Sequence, residues 1–182
     1  MRVEAIGLIE LTSVARGVVV TDAMVKEASV RVLQSHPICP GKYMVLIAGT
    51  VGDVHSAMAV GTHYAGPTMV DKLLIDNLHE QVIPAIANTR SPKTIGAIGI
   101  IETYGVASTV LAADKACKAA DIELIEIRLA TGLGGKAYVT FTGKQHMVEA
   151  ALHAGVTALD GAMLFRKELI EAPHKDTVRI VK

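Results

Sequence analysis

Apolar and polar positions follow the same order in each half of the chain. Short, mostly apolar runs indicate strands, and apolar residues three and four apart indicate helices. In the first half we predict strands over residues 5–11, 30–35, 42–48 and 69–75, helices over residues 21–28 and 51–65, and a closing helical segment over residues 78–87. Asp22 lies near the predicted start of the first helix, where its charge favours the positive helix end. The second half repeats the order, with helices near residues 110–120 and 145–157 and a final strand near residues 163–170.

This order, βαββαβ, is that of a ferredoxin-like α+β sandwich, and the sequence itself repeats with it. Ala-Ile-Gly-Leu-Ile-Glu at residues 5–10 returns as Ala-Ile-Gly-Ile-Ile-Glu at residues 97–102. Solenoid repeats span only about 20–50 residues, so this longer period indicates a tandem duplication of a whole domain. We predict domains at residues 1–90 and 91–182, with a polar linker within residues 88–93.

The two copies differ in length at one loop, which is therefore where we expect function. That loop is Pro-Ile-Cys-Pro-Gly-Lys at residues 37–42 and the longer Leu-Ala-Thr-Gly-Leu-Gly-Gly-Lys at residues 129–136. The second loop fails the test for a phosphate-binding P-loop, because Ala137 replaces the Ser or Thr and a strand follows. Glycines at this place are better explained by close packing of loops.

Composition and charge limit the partners. The chain is 51% hydrophobic with 3% aromatic residues, and domains of this size bury a modest fraction of their surface alone, so we expect an oligomer. Eighteen basic and eighteen acidic residues without a basic block indicate no nucleic acid partner. No apolar run is long enough for a membrane span, and no signal peptide is expected. Two cysteines at non-matching positions favour a reducing, cytoplasmic setting over disulfides.

Several motifs recur at matching positions of both copies. They are the Ala-Ile-Gly starts, the pairs Asp22–Lys26 and Asp114–Lys118, and the glycine-bearing loops. Glu171-Ala172-Pro173-His174 stands near the end, where the first copy has only Asn77-Leu78-His79. Together they resemble bacterial microcompartment shell domains, and two such domains in unpermuted order resemble the tandem-domain trimeric shell proteins. The resemblance implies a non-enzymatic tile, in which a homotrimer forms a pseudo-hexameric disc that packs against neighbouring shell hexamers and trimers.

The resemblance also assigns residues. Lys26 and Lys118 match the family's edge lysine and would make tile-edge contacts. The family's pore loop corresponds here to Ile38, Pro40, Gly41, Thr131, Gly132, Leu133 and Gly134.

Cys39 is the candidate metal ligand, because the family member of propanediol-utilisation compartments carries the same Ile-Cys-Pro-Gly-Lys loop. In that protein, three symmetry-related cysteines hold a [4Fe–4S] cluster in the central pore. The resemblance implies that each chain supplies one Cys39 thiolate and that the fourth iron has a non-protein ligand. The cluster would then transfer electrons across the shell, or itself be transferred, and serve enclosed redox enzymes.

Two other functions stay open at this stage. In the first, the tile holds no cluster, Cys39 only lines the pore, and small metabolites pass. In the second, the protein is a small-molecule-binding regulatory module, because a fold does not fix a function. An enzyme is not expected, because no nucleophile–base pair or carboxylate dyad stands at useful spacing.

Four further residues can be interpreted as either structural or functional. His36 stands three residues before Cys39, so it is a candidate second ligand; otherwise it supports the ligand or lines the pore. Cys117 lies among alanines on a predicted helix, which indicates core packing. Glu10 and Glu102 recur at strand ends, which favours a structural hydrogen bond over acid–base chemistry.

Overall fold

The computed structural model describes residues 3–92 and 94–181 and divides into two compact units, Met1–Leu78 and His79–Lys182. The first unit holds a sheet of four antiparallel strands in the order β2-β3-β1-β4 and two helices. A 3₁₀ turn at Gly66–Thr68 precedes its last strand. The elements are β1 Ala5–Leu11, α1 Val14–Glu27, β2 Arg31–Ile38, β3 Lys42–Gly49, α2 Val51–Ala65 and β4 Met69–Asp76.

The second unit repeats this arrangement, with the strand order β6-β7-β5-β8. It begins with an additional short helix and ends with another. Its elements are α3 Val82–Ala87, β5 Ala97–Thr103, α4 Val106–Ala119, β6 Ile122–Leu129, β7 Ala137–Gly143, α5 Gln145–Thr157, β8 Leu164–Ile170 and α6 Lys175–Val181, with a 3₁₀ turn at Gly161–Met163 before β8. The predicted duplication of a βαββαβ sandwich is confirmed.

Helices pack on one face of each sheet because small residues let them approach. In the first unit Ile9 and Leu11 of β1 join the core with Met24 of α1 and Met58 of α2. A Cβ atom at Gly7 would lie 2.6 Å from Met58 Sδ, so a larger residue there would force the Met58 side chain to shift. In α2 the buried residues Val54, Ala57, Met58, Gly61 and Ala65 recur at helical spacing, and α2 and α5 begin and end at the predicted residues.

The first helix begins earlier than the sequence pattern predicts. Ser13 is its N-cap and accepts a hydrogen bond from Arg16 N at 3.2 Å. The predicted start near residue 21 is therefore wrong, and so is the placement of Asp22 at the positive helix end. Asp22 lies beyond the middle of α1, where it forms an ion pair with Lys26, 2.5 Å away.

The segment of residues 79–90 packs with the second unit, although in the repeat it follows the first copy. Val82 and Ala85 of α3 are buried, and Arg90 N donates to Ile125 O of β6 at 2.7 Å. The boundary between the two compact units, after Leu78, therefore lies earlier in the chain than the boundary predicted from the polar linker, after residue 90. None of the helices in the described residues is both long enough and apolar enough to cross a membrane.

Candidate functional site

The loop between β2 and β3 is a three-residue turn that presents Cys39. The Cys39–Pro40 peptide bond is cis, and Gly41 has a φ of 72°, a left-handed conformation that glycine adopts without strain. Cys39 is half-buried with a free thiol, while Pro40 and Gly41 are exposed. Ile38, assigned with them to the pore, has its side chain 5% exposed in the chain. The accessible part of this loop is therefore small and consists of Pro40, Gly41 and part of Cys39.

The base of the turn is fixed by an ion pair. Lys42 Nζ lies 3.2 Å from Oε2 of Glu10, whose side chain is 2% exposed. Glu10 Oε1 has no hydrogen-bond partner among the described residues. Ser35 of β2 also hydrogen-bonds to Tyr43 of β3 at 2.9 Å. The predicted structural role of Glu10 is confirmed, since its carboxylate holds a loop-flanking lysine.

Both ring nitrogens of His36 lie near partners other than Cys39. Its Nδ1 atom lies 3.0 Å from the carbonyl oxygen of Pro37, and its Nε2 atom lies 3.3 Å from Gln34 Oε1. Across residues 3–92 and 94–181, no group of three or more His, Cys, Asp or Glu side chains could hold a metal ion. A metal centre at Cys39 would therefore need ligands from other chains.

The corresponding loop between β6 and β7 has a different chemistry. Thr131, Gly132 and Gly134 are exposed and Leu133 is half-buried. Positive φ angles occur at Ala130, Gly132, Gly134 and Gly135, and the exposed Gly132 and Gly134 present backbone instead of side chains. The loop carries no thiol, imidazole or carboxylate that could bind iron.

The base of this second loop repeats that of the first. Lys136 forms an ion pair with Glu102, at the positions that match Lys42 and Glu10. Its ammonium group also lies 3.9 Å from the ring centroid of Phe165. The predicted structural role of Glu102 is thus confirmed as well.

A hydrogen-bonded cluster around Glu126 was not found by sequence reasoning. Its carboxylate accepts bonds from Tyr138 at 2.7 Å, Arg128 at 2.6 Å and Thr89 at 3.1 Å. Burial alone would raise the pKa of Glu126, but these donors hold the pKa below its ordinary value. Burial and the bond to Glu126 raise the pKa of Tyr138 to about 12. The only sequence signal is the alternation of Glu126 and Arg128 along one strand.

The second cysteine and the two edge lysines lie on α1 and α4. Cys117 is 7% exposed, and burial, followed by the nearby Asp114 charge, raises its pKa to about 12. Its predicted core role is confirmed. Lys118 pairs at 2.6 Å with Asp114, which is fully buried, whereas Lys26 and Asp22 are both exposed. Of the two lysines, Lys26 is the freer to contact another molecule.

Comparison with known proteins matches both units to one family. The BMC domain matches residues 5–78 and 97–173. The chain is 41% identical over 177 residues to the bacterial microcompartment shell protein PduT of Citrobacter freundii, covering 97% of this chain and 96% of that protein. A crystal structure of a microcompartment protein from Desulfitobacterium hafniense DCB is 43% identical, with a TM-score of 0.91, and covers 98% of this chain and 99% of that chain.

A more distant structure shares the fold alone. The fused permuted hexameric shell protein MSM0275 from the RMM microcompartment is 20% identical, with a TM-score of 0.62, and the match covers 86% of this chain and 81% of that chain. The full-length match to a shell protein and the two matched domains decide the family. This chain belongs to the bacterial microcompartment shell proteins and carries two BMC domains in tandem.

Proposed function

We propose that this shell protein forms a homotrimer around a central pore and that three copies of Cys39 hold a [4Fe–4S] cluster there. One observation carries the proposal. Each chain presents one half-buried thiol on a short turn, while its other thiol is buried. Among the described residues, no group of three or more His, Cys, Asp or Glu side chains could hold a metal ion. One such thiol can hold a cluster only together with the same thiol from other chains around a symmetry axis.

The donor set fits a shared cluster. A [4Fe–4S] cluster takes about four ligands, so three thiolates on a threefold axis leave one iron to a non-protein ligand. Pro40 and Gly41 follow the sulfur without adding a bulky side chain. The ion pair between Lys42 and Glu10 anchors the turn at its base, and an anchored turn holds the thiol in place for a symmetric site.

The bound cluster would supply one-electron redox chemistry. The chain's own part is to bind and position it: Cys39 supplies the thiolate, and backbone N–H groups near a cluster tune its potential through hydrogen bonds to the sulfurs. We propose electron transport across the shell, or transfer of the cluster, in support of enclosed redox enzymes. The role is structural and electron-carrying, not enzymatic.

The proposed trimer places the protein within a larger sheet. Neighbouring shell hexamers and trimers would be its partners, with Lys26 and Lys118 at the tile edges. Lys26 suits this role because its side chain is 73% exposed. The loop of residues 130–136, rich in exposed backbone, would share the pore with the cysteine turn.

Iron analysis under anaerobic conditions tests the cluster. Protein purified without oxygen should be a trimer by native mass spectrometry and contain about four iron and four sulfide per three chains. Cys39→Ser should lose the iron and sulfide and remain folded. Cys117→Ser is the matched control, since it removes the buried thiol, and should keep the cluster.

The alternative is a tile without a cluster, whose pore passes small metabolites. The exposed Gly132 and Gly134 favour it, because a backbone-lined opening offers hydrogen bonds without a fixed charge. A trimer that stays free of iron after chemical reconstitution would overturn the cluster proposal and assign Cys39 to the lining of such a pore.

A further inference from the structure

The free edge of the second sheet is covered by residues 79–90. The side chain of Gln81 makes two hydrogen bonds to the outer backbone of β6. Its Nε2 atom donates to Ile122 O at 2.9 Å, and its Oε1 atom accepts from Leu124 N at 2.9 Å. Edge strands carry unpaired backbone groups that bind other strands or need cover. In the second unit, residues 79–90, which precede the first strand of the second copy, supply that cover.

The matching edge of the first sheet lacks this cover. The strand β2 stands at the end of its sheet as β6 does, and both strands have a register shift, after Val32 in β2 and after Leu124 in β6. The two residues match in the repeat. Whereas Leu124 N is bonded to Gln81, no side chain among the described residues accepts a bond from Val32 N.

The helix beside this edge is also exposed. Val14 and Val18 of α1 are 44% and 55% exposed, while their counterparts in α4, Val106 and Val110, are fully buried. Exposed valines in a row on a helix beside a bare strand form an apolar face that favours a partner. We call β2 and the exposed face of α1 the open face.

The helix α6 is the counterpart of α3. The strands before them pair in the same register, with Lys72 opposite Ile9 and Lys167 opposite Ile101. His79 Nδ1 then accepts a bond from Gln81 N at 3.4 Å, and His174 Nδ1 accepts one from Asp176 N at 3.3 Å. The two segments therefore start with the same local geometry.

The two helices differ in what they touch. Ala85 of α3 is 1% exposed, whereas the matching Ile180 of α6 is 83% exposed. A large apolar side chain that is almost wholly in water, on the counterpart of a docked helix, is unpartnered within the chain.

We propose that residues 174–181 of one copy cover the open face of a second copy, as residues 79–90 cover β6. The inference rests on the proposed trimer and names its subunit interface. His79 N donates to Asp114 Oδ1 at 2.9 Å in the second unit. In the interface, His174 N donates to Asp22 of the neighbouring copy. Asp22 already places its other oxygen on Lys26, as Asp114 does on Lys118.

Two further positions complete the match. Asp176 stands at the Gln81 position, and its carboxylate accepts from Val32 N of the neighbouring copy. It lacks the donor that Gln81 offers to a carbonyl, so this edge is held by one bond where β6 has two. Ile180 stands at the Ala85 position and packs on the apolar open face, where its larger side chain adds buried area.

Contacts of this kind join the tail of one chain to the head of the next. Such a heterologous interface closes into a ring when the rotation allows, and otherwise extends. In the closed ring each chain gives one tail and receives one. Every edge strand of the β2 and β6 type is then covered, alternately from within a chain and from its neighbour.

Two charge changes on α6 test the interface. Ile180→Glu would bury a carboxylate, and we expect the apparent dissociation constant of the trimer to rise about tenfold or more. The control is Lys175→Gln, which shifts the net charge equally. Lys175 matches Glu80, which is exposed on the docked segment, so the control should leave assembly unchanged. Ile180 is exposed in the chain, so neither change threatens folding.

Hydrogen exchange of the two edge strands provides the second measurement. In Ile180→Glu, deuterium uptake should increase in peptides of β2, while β6 peptides, covered within the chain, stay protected. An Ile180→Glu trimer with unchanged affinity and unchanged β2 uptake overturns the interface, even where the iron content is intact. A wild-type trimer that lacks iron but has a protected β2 overturns the cluster and leaves the interface standing. A wild-type monomer overturns the trimer and the interface together.

Discussion

The turn at Cys39 and the loop of residues 130–136 share a base and differ at the tip. In both, a lysine at the start of the following strand is held by a glutamate of the first strand, Glu10 with Lys42 and Glu102 with Lys136. The first tip is a short turn with a thiol, and the second is a longer glycine-rich loop without one. Duplication has kept the anchor in both copies, whereas the tips diverged, so chemistry changes where the fold does not depend on it.

The two cysteines of the chain give the largest contrast. Iodoacetamide should modify Cys39 in folded, metal-free protein and leave Cys117 intact. Cys117 is buried, and a pKa of about 12 in place of 9.0 lowers its thiolate fraction at pH 8 about a thousandfold relative to an ordinary thiol. Peptide mass spectrometry during a timed reaction measures both rates.

Labelling in urea provides the control, because both cysteines should then react. Cys39→Ser should remain unlabelled under native conditions. Equal native rates at the two positions would show that α4 opens readily and that the burial of Cys117 does not protect it.

The ion pairs at the bases of the two loops should contribute different amounts to the free energy of unfolding. The Glu10 side chain is 2% exposed and Lys42 is 23% exposed, against 28% and 34% for Glu102 and Lys136. We expect Glu10→Ala to lower the free energy of unfolding by about 2–3 kcal/mol, since it leaves a lysine without its buried partner. Glu102→Ala should cost less than about 1 kcal/mol, because its pair is better solvated.

Urea titrations followed by circular dichroism measure both variants at matched protein concentration. Glu10→Gln separates charge from shape, since it keeps the volume and one acceptor, and it should fall between the wild type and Glu10→Ala. Equal losses for the two alanine variants would mean that burial does not distinguish the two pairs.

Local sequence patterns correctly predicted the helices whose bounds depend on local apolar spacing. Residues 51–65 and 145–157 have helical spacing throughout, and both helices end where predicted. Residues 18–20 are three valines, which favour strands, so the helix start at Val14, set by the Ser13 cap, was missed. Tertiary packing overrides propensity at such a place.

Interactions between distant segments were beyond reach of the sequence. The side chain of Gln81 donates a hydrogen bond to the backbone carbonyl of Ile122, 41 residues away. Neither stretch of sequence carries a pattern that predicts this contact. Cys39 could be singled out because its loop has a recognisable sequence. The burial of Ile38 could not, since the orientation of a residue at a strand end depends on the register with β3.

The Glu126 cluster gives a small predicted effect and a pH dependence with a definite sign. Gln34 and His36 occupy the matching positions in the first unit and form one longer bond, 3.3 Å, so a charged cluster distinguishes the second unit. The folded protein lowers the pKa of Glu126 from 4.5. Its stabilisation is therefore fully present above that pH and is lost as the pH falls through the lower folded value.

Glu126→Gln should lower the free energy of unfolding by about 1 kcal/mol at neutral pH, because the bonds from Arg128 and Tyr138 lose their charged acceptor. The difference from the wild type should shrink as the solution is acidified below the ordinary carboxyl pKa, since the wild-type carboxylate then also loses its charge. Thermal melts at a series of pH values measure this. Glu123→Gln, exposed on the same strand, should show no such pH-dependent gap. A gap for Glu126→Gln that widens on acidification would reverse the sign and mean that the protonated carboxyl is the form the fold prefers.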